Sequence, residues 1–571
     1  MKSKKLLTIL LSAIITVSSI SSVYAAGPVG IKSKYQPKTT TIFWEKGKQN
    51  NKKSATNIAS EKFNNFEEIN QFFQQNISRF GLKKGSLKST KTLKDEKGKI
   101  HYHTIYQVEG IPVYYGRIVF TTEKDSTISS INGGVDISFE NENWKNKIKL
   151  SKSDAIAKAK NNIKYEELHD SKADLYLYNF EGKPYVVYLV DLVTDTGNWN
   201  VFVNTEDGSI VNKFNNTPTL TNTKDKKFTS TKKTNTKVNK SNNLIDVQGN
   251  TIKGKGKSSL NGIVDIDLTY KDGKYYLKNS NKNIYVYDIN NKYIGYTKSD
   301  LLRASSLVEN NSNEFIDDKH IIAVDTYINL GKTYDYYKDK FNRNSIDNKG
   351  MKVEAFVDYN AVGDAAWSEE FNSMFFGNGD GKNFTHMSRS LDIVGHEFSH
   401  GVTHKESNLK YENESGALNE SFSDIMGVAI KGKNFKIGED SWTPDIEGDA
   451  IRDMQDPSKG YQPAHMKDYR SMDIRYDNGG VHVNSGIINH AAYLIADGIE
   501  KLGVENSKDI MAKLFYTANC YEWDETTNFS KCRNDLIKVT KNLYGENSKY
   551  VQIVENAFDK VGITATPQLP L

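Results

Sequence analysis

Residues 217–243 of this 571-residue chain hold almost nothing that can be buried. The run TNTKDKKFTSTKKTNTKVNKSNN is threonine, lysine and asparagine with almost no apolar side chains. Such a segment cannot offset the entropy of ordering its backbone, so it reads as an exposed linker open to proteolysis. It forces the chain to fold as separate bodies, one before it and one after. A nucleic-acid-binding tail is the rival use of its lysines. The formal net charge is only +5 and the basic residues are scattered, so no nucleic-acid partner is expected.

Before the linker, Lys2, Lys4 and Lys5 precede an apolar stretch from Leu6 to Val17 and a small-residue site at Val23-Tyr24-Ala25-Ala26. This is an export signal, residues 1–26, and the expected product is secreted with no membrane attachment after cleavage. Period-two alternation at His101–Tyr114 and Tyr185–Phe202, with a helical stretch at Lys152–Ile163, predicts two α+β modules, 27–145 and 146–216. After the linker, alternation through Gly262–Tyr296 predicts a β-rich lobe, 244–395. Helical periodicity begins after Asp317 and dominates at Ala417–Ile430, Gly486–Leu502, Lys508–Ala518 and Asn528–Leu543, predicting a mainly α-helical lobe, 396–571. The fold class is α+β, two lobes with a cleft between them, and a monomer is expected. The two cysteines, Cys520 and Cys532, admit either a disulfide or two buried thiols.

The chemistry concentrates at Gly395-His396-Glu397-Phe398-Ser399-His400. Residues four apart share a helix face, so His396 and His400 can grip one metal ion with Glu397 beside them as a general base. Glu420 and Asp424 lie on one face of a second helical pattern. Glu420 suits a third ligand. Asp424 and Asn419 suit partners for the ligand imidazoles, fixing their tautomers. A solvated acidic stripe is the alternative for these carboxylates. His404 is four residues past His400, but Thr403 and Glu406 break the three-histidine pattern, so it reads as a surface residue. In Asp477-Asn478-Gly479-Gly480-Val481-His482, a tight turn can present His482 with Asp477 orienting its ring, either as a structural turn or as an oxyanion stabiliser.

GHEFSH, YENESGALNESFSD, GDAIRDMQDP and DNGGVHVNSGIINHAAYL, in this order, closely resemble the thermolysin-like family of secreted zinc metalloendopeptidases. HYHTIYQVEGIPVYYGRIVF, and LSKSDAIAKAK through GNWNVFVNTEDGSIV, resemble the two modules of that family's propeptide. The resemblance implies one catalytic zinc held by His396, His400 and Glu420, with Glu397 as general base and Tyr411 and His482 as oxyanion donors. It implies protein and peptide substrates, Arg452 on a substrate carbonyl, and Asp364 and Ala365 against the substrate backbone. Phe384, Met387, Ile393 and Ile451 would line an apolar pocket favouring cleavage before bulky apolar residues. The propeptide would act as an intramolecular inhibitor and folding aid.

The chain departs from the family pattern in places. Asp364 stands where an asparagine is usual and, ionised, cannot donate a hydrogen bond. Asp392 and Glu439 match calcium ligands, and Thr443, Ile446 and Asp449 retain a calcium-loop pattern. Lys431, Asn434 and Lys436 fall where carboxylates would stand, and two lysines can supply positive charge in an ion's place. Fewer calcium ions than in the fullest family members are expected.

Overall fold

A computed structural model describes residues 39–46, 58–166, 168–194, 197–215, 248–289, 301–302, 304–359 and 363–565. The expected signal segment and the linker lie outside the described residues.

In the N-terminal half, the alternating run at 101–114 forms strands Ile100–Val108 and Ile111–Thr122. Glu109 and Gly110 turn between them, both at positive φ, as two-residue hairpins require. These strands belong to a nine-stranded sheet. Its first portion also holds Thr39–Glu45, Ser86–Lys94 and Ile128–Asp136; its second holds Leu168–Phe180, Lys183–Thr194, Gly197–Asn204 and Ile210–Asn215. One parallel pairing, Val113 with Leu177, joins the two portions into a continuous sheet. The Lys152–Lys160 helix is capped by Ser151 and sets Ala155 and Ala159 into the core of the second portion. The Phe66–Gln75 helix was not anticipated from periodicity. Asn65 caps its Glu68 N–H and Glu68 accepts from Asn64 N, while Ile69 and Phe73 are buried.

After the linker, strands Asn250–Ser258, Gly262–Lys271 and Lys274–Tyr276 lie in a five-stranded sheet. A second sheet contains Ile284–Asp288, Val353–Tyr359 and Ser373–Gly377, and ends on Ala365–Ser368 as its edge strand. Helices follow at Ile321–Phe341, Leu391–Lys405, Asn413–Lys431, Asp477–Glu500, Ser507–Tyr521, Phe529–Tyr544 and Lys549–Lys560. The last was not anticipated, although Val551, Val554, Ala557 and Phe558 give it a buried stripe. The expected lobe boundary at 395/396 falls inside the Leu391–Lys405 helix, which continues unbroken across it. One hydrophobic cluster runs from Ile266 through both lobes to Ile563. Cys520 and Cys532 are buried free thiols, and burial pushes Cys520 up to about 12.

The N-terminal sheet docks on the helical lobe through polar contacts. Asn132 Nδ2 donates to Asp535 Oδ1 at 2.5 Å, and Lys538 Nζ to Thr121 Oγ1 at 2.8 Å. His103 Nε2 bonds Tyr521 O at 3.1 Å, and Arg117 pairs with Glu525.

The Leu391–Lys405 and Asn413–Lys431 helices approach through glycine. A Cβ on Gly395 would come 2.8 Å from Ile430 Cδ1; one on Gly427 would come 2.5 Å from the Asp392 carbonyl oxygen. The second obstacle is backbone, which cannot swing aside. Gly427→Val is therefore expected to cost about 1–3 kcal/mol through overpacking. It should also loosen metal retention, because Glu420 sits two turns earlier on the displaced helix. Thermal denaturation and metal content of the purified variant check both effects.

Candidate metal centre and catalytic cleft

The glycine-mediated crossing brings two sets of side chains together inside the protein. His396 and His400 stand one turn apart on the first helix, and Glu420 faces them from the second. All three are buried. Among the described residues, theirs is the group of histidine, cysteine and carboxylate side chains able to surround a metal ion, with donor atoms within 4.8 Å of one another.

Their neighbours fix the tautomers. His396 Nδ1 donates to Asp424 Oδ1 at 2.9 Å, and His400 Nδ1 donates to Asn419 Oδ1 at 2.8 Å. With each Nδ1 proton committed, both Nε2 atoms present lone pairs, and they face each other 2.9 Å apart. Glu420 adds oxygens 3.5 Å from His396 Nε2 and 3.4 Å from His400 Nε2. Lone pairs converging in a dry site repel unless a cation sits among them. Two imidazoles and a carboxylate are the donor set of a catalytic zinc site, and the residues fit that ion.

The surroundings also favour positive charge. Burial would lower the His396 pKa, yet Asp424 and Glu420 raise it. Burial would raise Glu420, but His482, His400 and His396 hold it well below the carboxylate range. Asp424 holds at about 2 against burial, because Arg452 and His396 stabilise its charge. Arg452 contributes two bonds, Nε to Asp424 Oδ2 at 2.8 Å and a terminal nitrogen to Oδ1 at 2.7 Å. Asn489 adds a third donor to Asp424 at 2.8 Å. Arg452 was expected to hold a substrate carbonyl; the structure shows two of its nitrogens fixed on Asp424. Asn489 was missed, because nothing in its sequence neighbourhood signals a partner 65 residues away.

Glu397 is buried next to His396 on the same helix. Burial pushes its carboxyl up to about 8; His400 pulls it down, while Glu420 and Asp364 push it further up. Tyr411 and His482 stand beside Glu420. The Tyr411 hydroxyl donates to Glu420 Oε1 and lies 3.2 Å from His482 Nε2. His482 Nδ1 is 2.5 Å from Asp477 Oδ1, and the other Asp477 oxygen accepts the backbone N–H of His482 and of Val483. Burial would lower His482, but Glu420 and Asp477 outweigh it and hold it up at about 9. Asp477, Asn478, Gly479 and Gly480 all have positive φ. A Cβ on Gly479 would meet Asn413 Oδ1 at 2.3 Å, so the turn tolerates no side chain there.

Of the expected pocket residues, Phe384, Met387 and Ile393 are buried in the shared core, with half-buried Ile451 packed against it. Asp364 and Ala365 sit at the start of the edge strand. His404, expected at the surface, is half-buried with its ring 6.3 Å from Trp367, because the end of its helix packs beneath that strand.

The carboxylates expected to bind calcium have protein partners. Lys431 Nζ lies 2.8 Å from Asp392 and 2.9 Å from Asp440, with Glu439 at 4.0 Å. Lys436 Nζ is 3.4 Å from Glu439. An ammonium competes with a divalent ion for these oxygens, and the carboxylates hold Lys431 charged despite burial. In the following loop, Asp449 accepts from Trp442 Nε1 at 3.0 Å and Thr443 Oγ1 at 2.8 Å, while Ile446 is exposed.

Residues 253–404 match the thermolysin metallopeptidase catalytic domain and 407–563 its alpha-helical domain. Residues 85–135 match the fungalysin/thermolysin propeptide motif, and 149–214 the peptidase propeptide and YPEB domain. Bacillolysin of Bacillus cereus is 37% identical over 475 residues, covering 80% of this chain and 81% of that protein. Thermolysin of Alicyclobacillus acidocaldarius subsp. acidocaldarius is 32% identical over 489 residues, covering 81% and 84%. The solved precursor of protealysin, a metalloproteinase from Serratia proteamaculans, is 31% identical, covering 49% of this chain and 87% of that one with a TM-score of 0.42. The chain belongs to the thermolysin family of metallopeptidases, and it carries propeptide domains of that family ahead of the protease.

Two substitutions probe the supports of the site. Asp424→Asn should weaken metal retention by about 10–100-fold, as for other partners of metal-bound histidines, measured by competition with a chelator. Lys431→Met leaves Asp392 buried without its counter-charge and should lower stability by about 3–5 kcal/mol, measured by denaturant unfolding.

Proposed function

We propose that this chain is a secreted neutral endopeptidase, made as an inhibited precursor, that uses one zinc ion held by His396, His400 and Glu420. The observation that carries this reading is the pair of facing Nε2 atoms, closed by Glu420, with Tyr411 and His482 in contact with that glutamate and Glu397 buried next to His396 in the chain. Zinc bound there supplies an acidified water and polarises the scissile carbonyl. Glu397 takes the proton of the attacking water as its oxygen bonds to the carbonyl carbon. It returns that proton to the amine nitrogen as the C–N bond breaks. His482, kept protonated by Asp477, and Tyr411 donate to the carbonyl oxygen as it gains negative charge.

The edge strand beginning at Ala365 supports a substrate bound in extended form as an added strand, with Asp364 and Ala365 against its backbone. Arg452, oriented by Asp424, has a second terminal nitrogen to offer a substrate carbonyl. Half-buried Ile451, backed by the buried Phe384, Met387 and Ile393, supports a preference for a bulky apolar residue on the leaving-group side. The lysine-filled cage at Asp392 and Glu439 supports a smaller calcium complement, with Thr443, Ile446 and Asp449 as the remaining candidate site. The signal-like 1–26 segment supports export, and the 217–243 segment supports cleavage between propeptide and protease.

The deciding experiment compares the full chain with its Glu397→Gln variant. The variant should keep stoichiometric zinc, lose peptide hydrolysis by about 10²–10⁴-fold and remain near full length. Undiminished activity would discard the mechanism. Mass spectrometry of a digested peptide mixture should place most cuts before Leu, Ile or Phe; cuts spread evenly over residue types would discard the pocket assignment.

A further inference from the structure

Tyr411 occupies the centre of a three-residue turn. The Glu412 N–H donates to the Lys410 carbonyl at 2.8 Å, so the residues on either side of Tyr411 set where its hydroxyl points. Both flanking side chains are held by adjacent tyrosines of the N-terminal sheet. Lys410 Nζ stands 2.8 Å above the centroid of the Tyr114 ring and donates to the Tyr114 carbonyl at 3.2 Å. Tyr115 donates its hydroxyl to Glu412 Oε1 at 2.6 Å.

The tyrosine pair is itself rigidly supported. Tyr114 is 2% exposed, and its ring meets Tyr115, Tyr178 and Phe202 edge-on at 4.9–5.3 Å. The aromatic cluster extends onto the protease through Ile474, on the approach to the Asp477 turn. Two successive residues of one strand thus grip the residues immediately before and after Tyr411.

We infer that the Lys410–Glu412 turn is a recognition surface for paired tyrosines, and that Tyr114 and Tyr115 silence the precursor by clamping it. The clamp holds the Tyr411 hydroxyl on Glu420, away from a substrate carbonyl. The cation–π contact on Lys410 and the charged hydrogen bond on Glu412 are specific, and neither requires a propeptide residue to enter the metal site. This rests on the assignment of Tyr411 as an oxyanion donor.

The test uses the full chain carrying Glu397→Gln, alone and with Tyr115→Phe, Lys410→Met or both. Tyr115→Phe removes one oxygen and Lys410→Met retains an apolar stem, so neither empties the aromatic core. Hydrogen exchange read by mass spectrometry should quicken across 409–413 by about tenfold in each variant, the scale of one hydrogen bond to a charged group. Exchange across 516–541, where several of the other docking contacts fall, should stay as in the parent. Unchanged exchange at 409–413, or equal quickening across 516–541, overturns the clamp. With Glu397 restored, the uncut variants should hydrolyse a reporter peptide faster than the uncut parent; equal rates overturn its inhibitory role. Tyr411→Phe in the cleaved enzyme tests the underlying assignment separately. Full kcat/KM there would remove Tyr411 from the chemistry while leaving the exchange result intact.

Discussion

The Asp424 carboxylate is the knot of this protein. Fully buried, it accepts from His396, twice from Arg452 and once from Asn489. A buried anion with one partner would be a liability, because desolvation outweighs a single ion pair. With four hydrogen bonds from three other parts of the chain it becomes a joint. It orients one candidate ligand, fixes the buried Arg452, and fastens the Asn413–Lys431 helix to the Asp477–Glu500 helix. The glycine contacts at 395 and 427 complete the arrangement by letting two helix backbones approach closely enough for these bonds to form.

That centre sits between supports of unlike chemistry. On the Asp477 side, left-handed backbone and a short His482–Asp477 contact hold a cationic ring in place. At the N-terminal end of the Leu391–Lys405 helix, Lys431 neutralises Asp392 one turn before His396. The ammonium ties that helix to the loop that continues into Trp442, whose ring lies 4.8 Å from Phe384. Geometry at the candidate metal position is therefore coupled through packed and paired side chains to Phe384 and Trp442.

Local spacing made some of this legible. His396 and His400 are one turn apart, and Glu420 and Asp424 share a helix face, so each pair followed from helical period, while joining the two pairs rested on the H-E-x-x-H motif and the family resemblance. Asp477 and His482 are close in sequence, and the Asn-Gly-Gly between them announced a turn. The helices with continuous apolar stripes were also readable, although Lys549–Lys560 escaped because its stripe is short and diluted by charge. Long-range partnerships were not legible. Arg452 carries no local mark of its pairing with Asp424, 28 residues away. His404 read as a surface residue because Trp367, its cover, lies on a distant strand. Lys410 and Glu412 carry no local mark of their partners Tyr114 and Tyr115, which come from nearly 300 residues earlier.

The pairing of Val113 with Leu177 makes the N-terminal half a single sheet, fastened to the helical lobe at several dispersed points. Severing the polar 217–243 segment would break a tether without breaking any of those contacts. Joined, the two halves meet at the high local concentration that a covalent connection imposes. Once separated, they obey ordinary mass action. Cutting and liberation are then distinct events, and the second is governed by dilution and by how long the detached sheet itself survives.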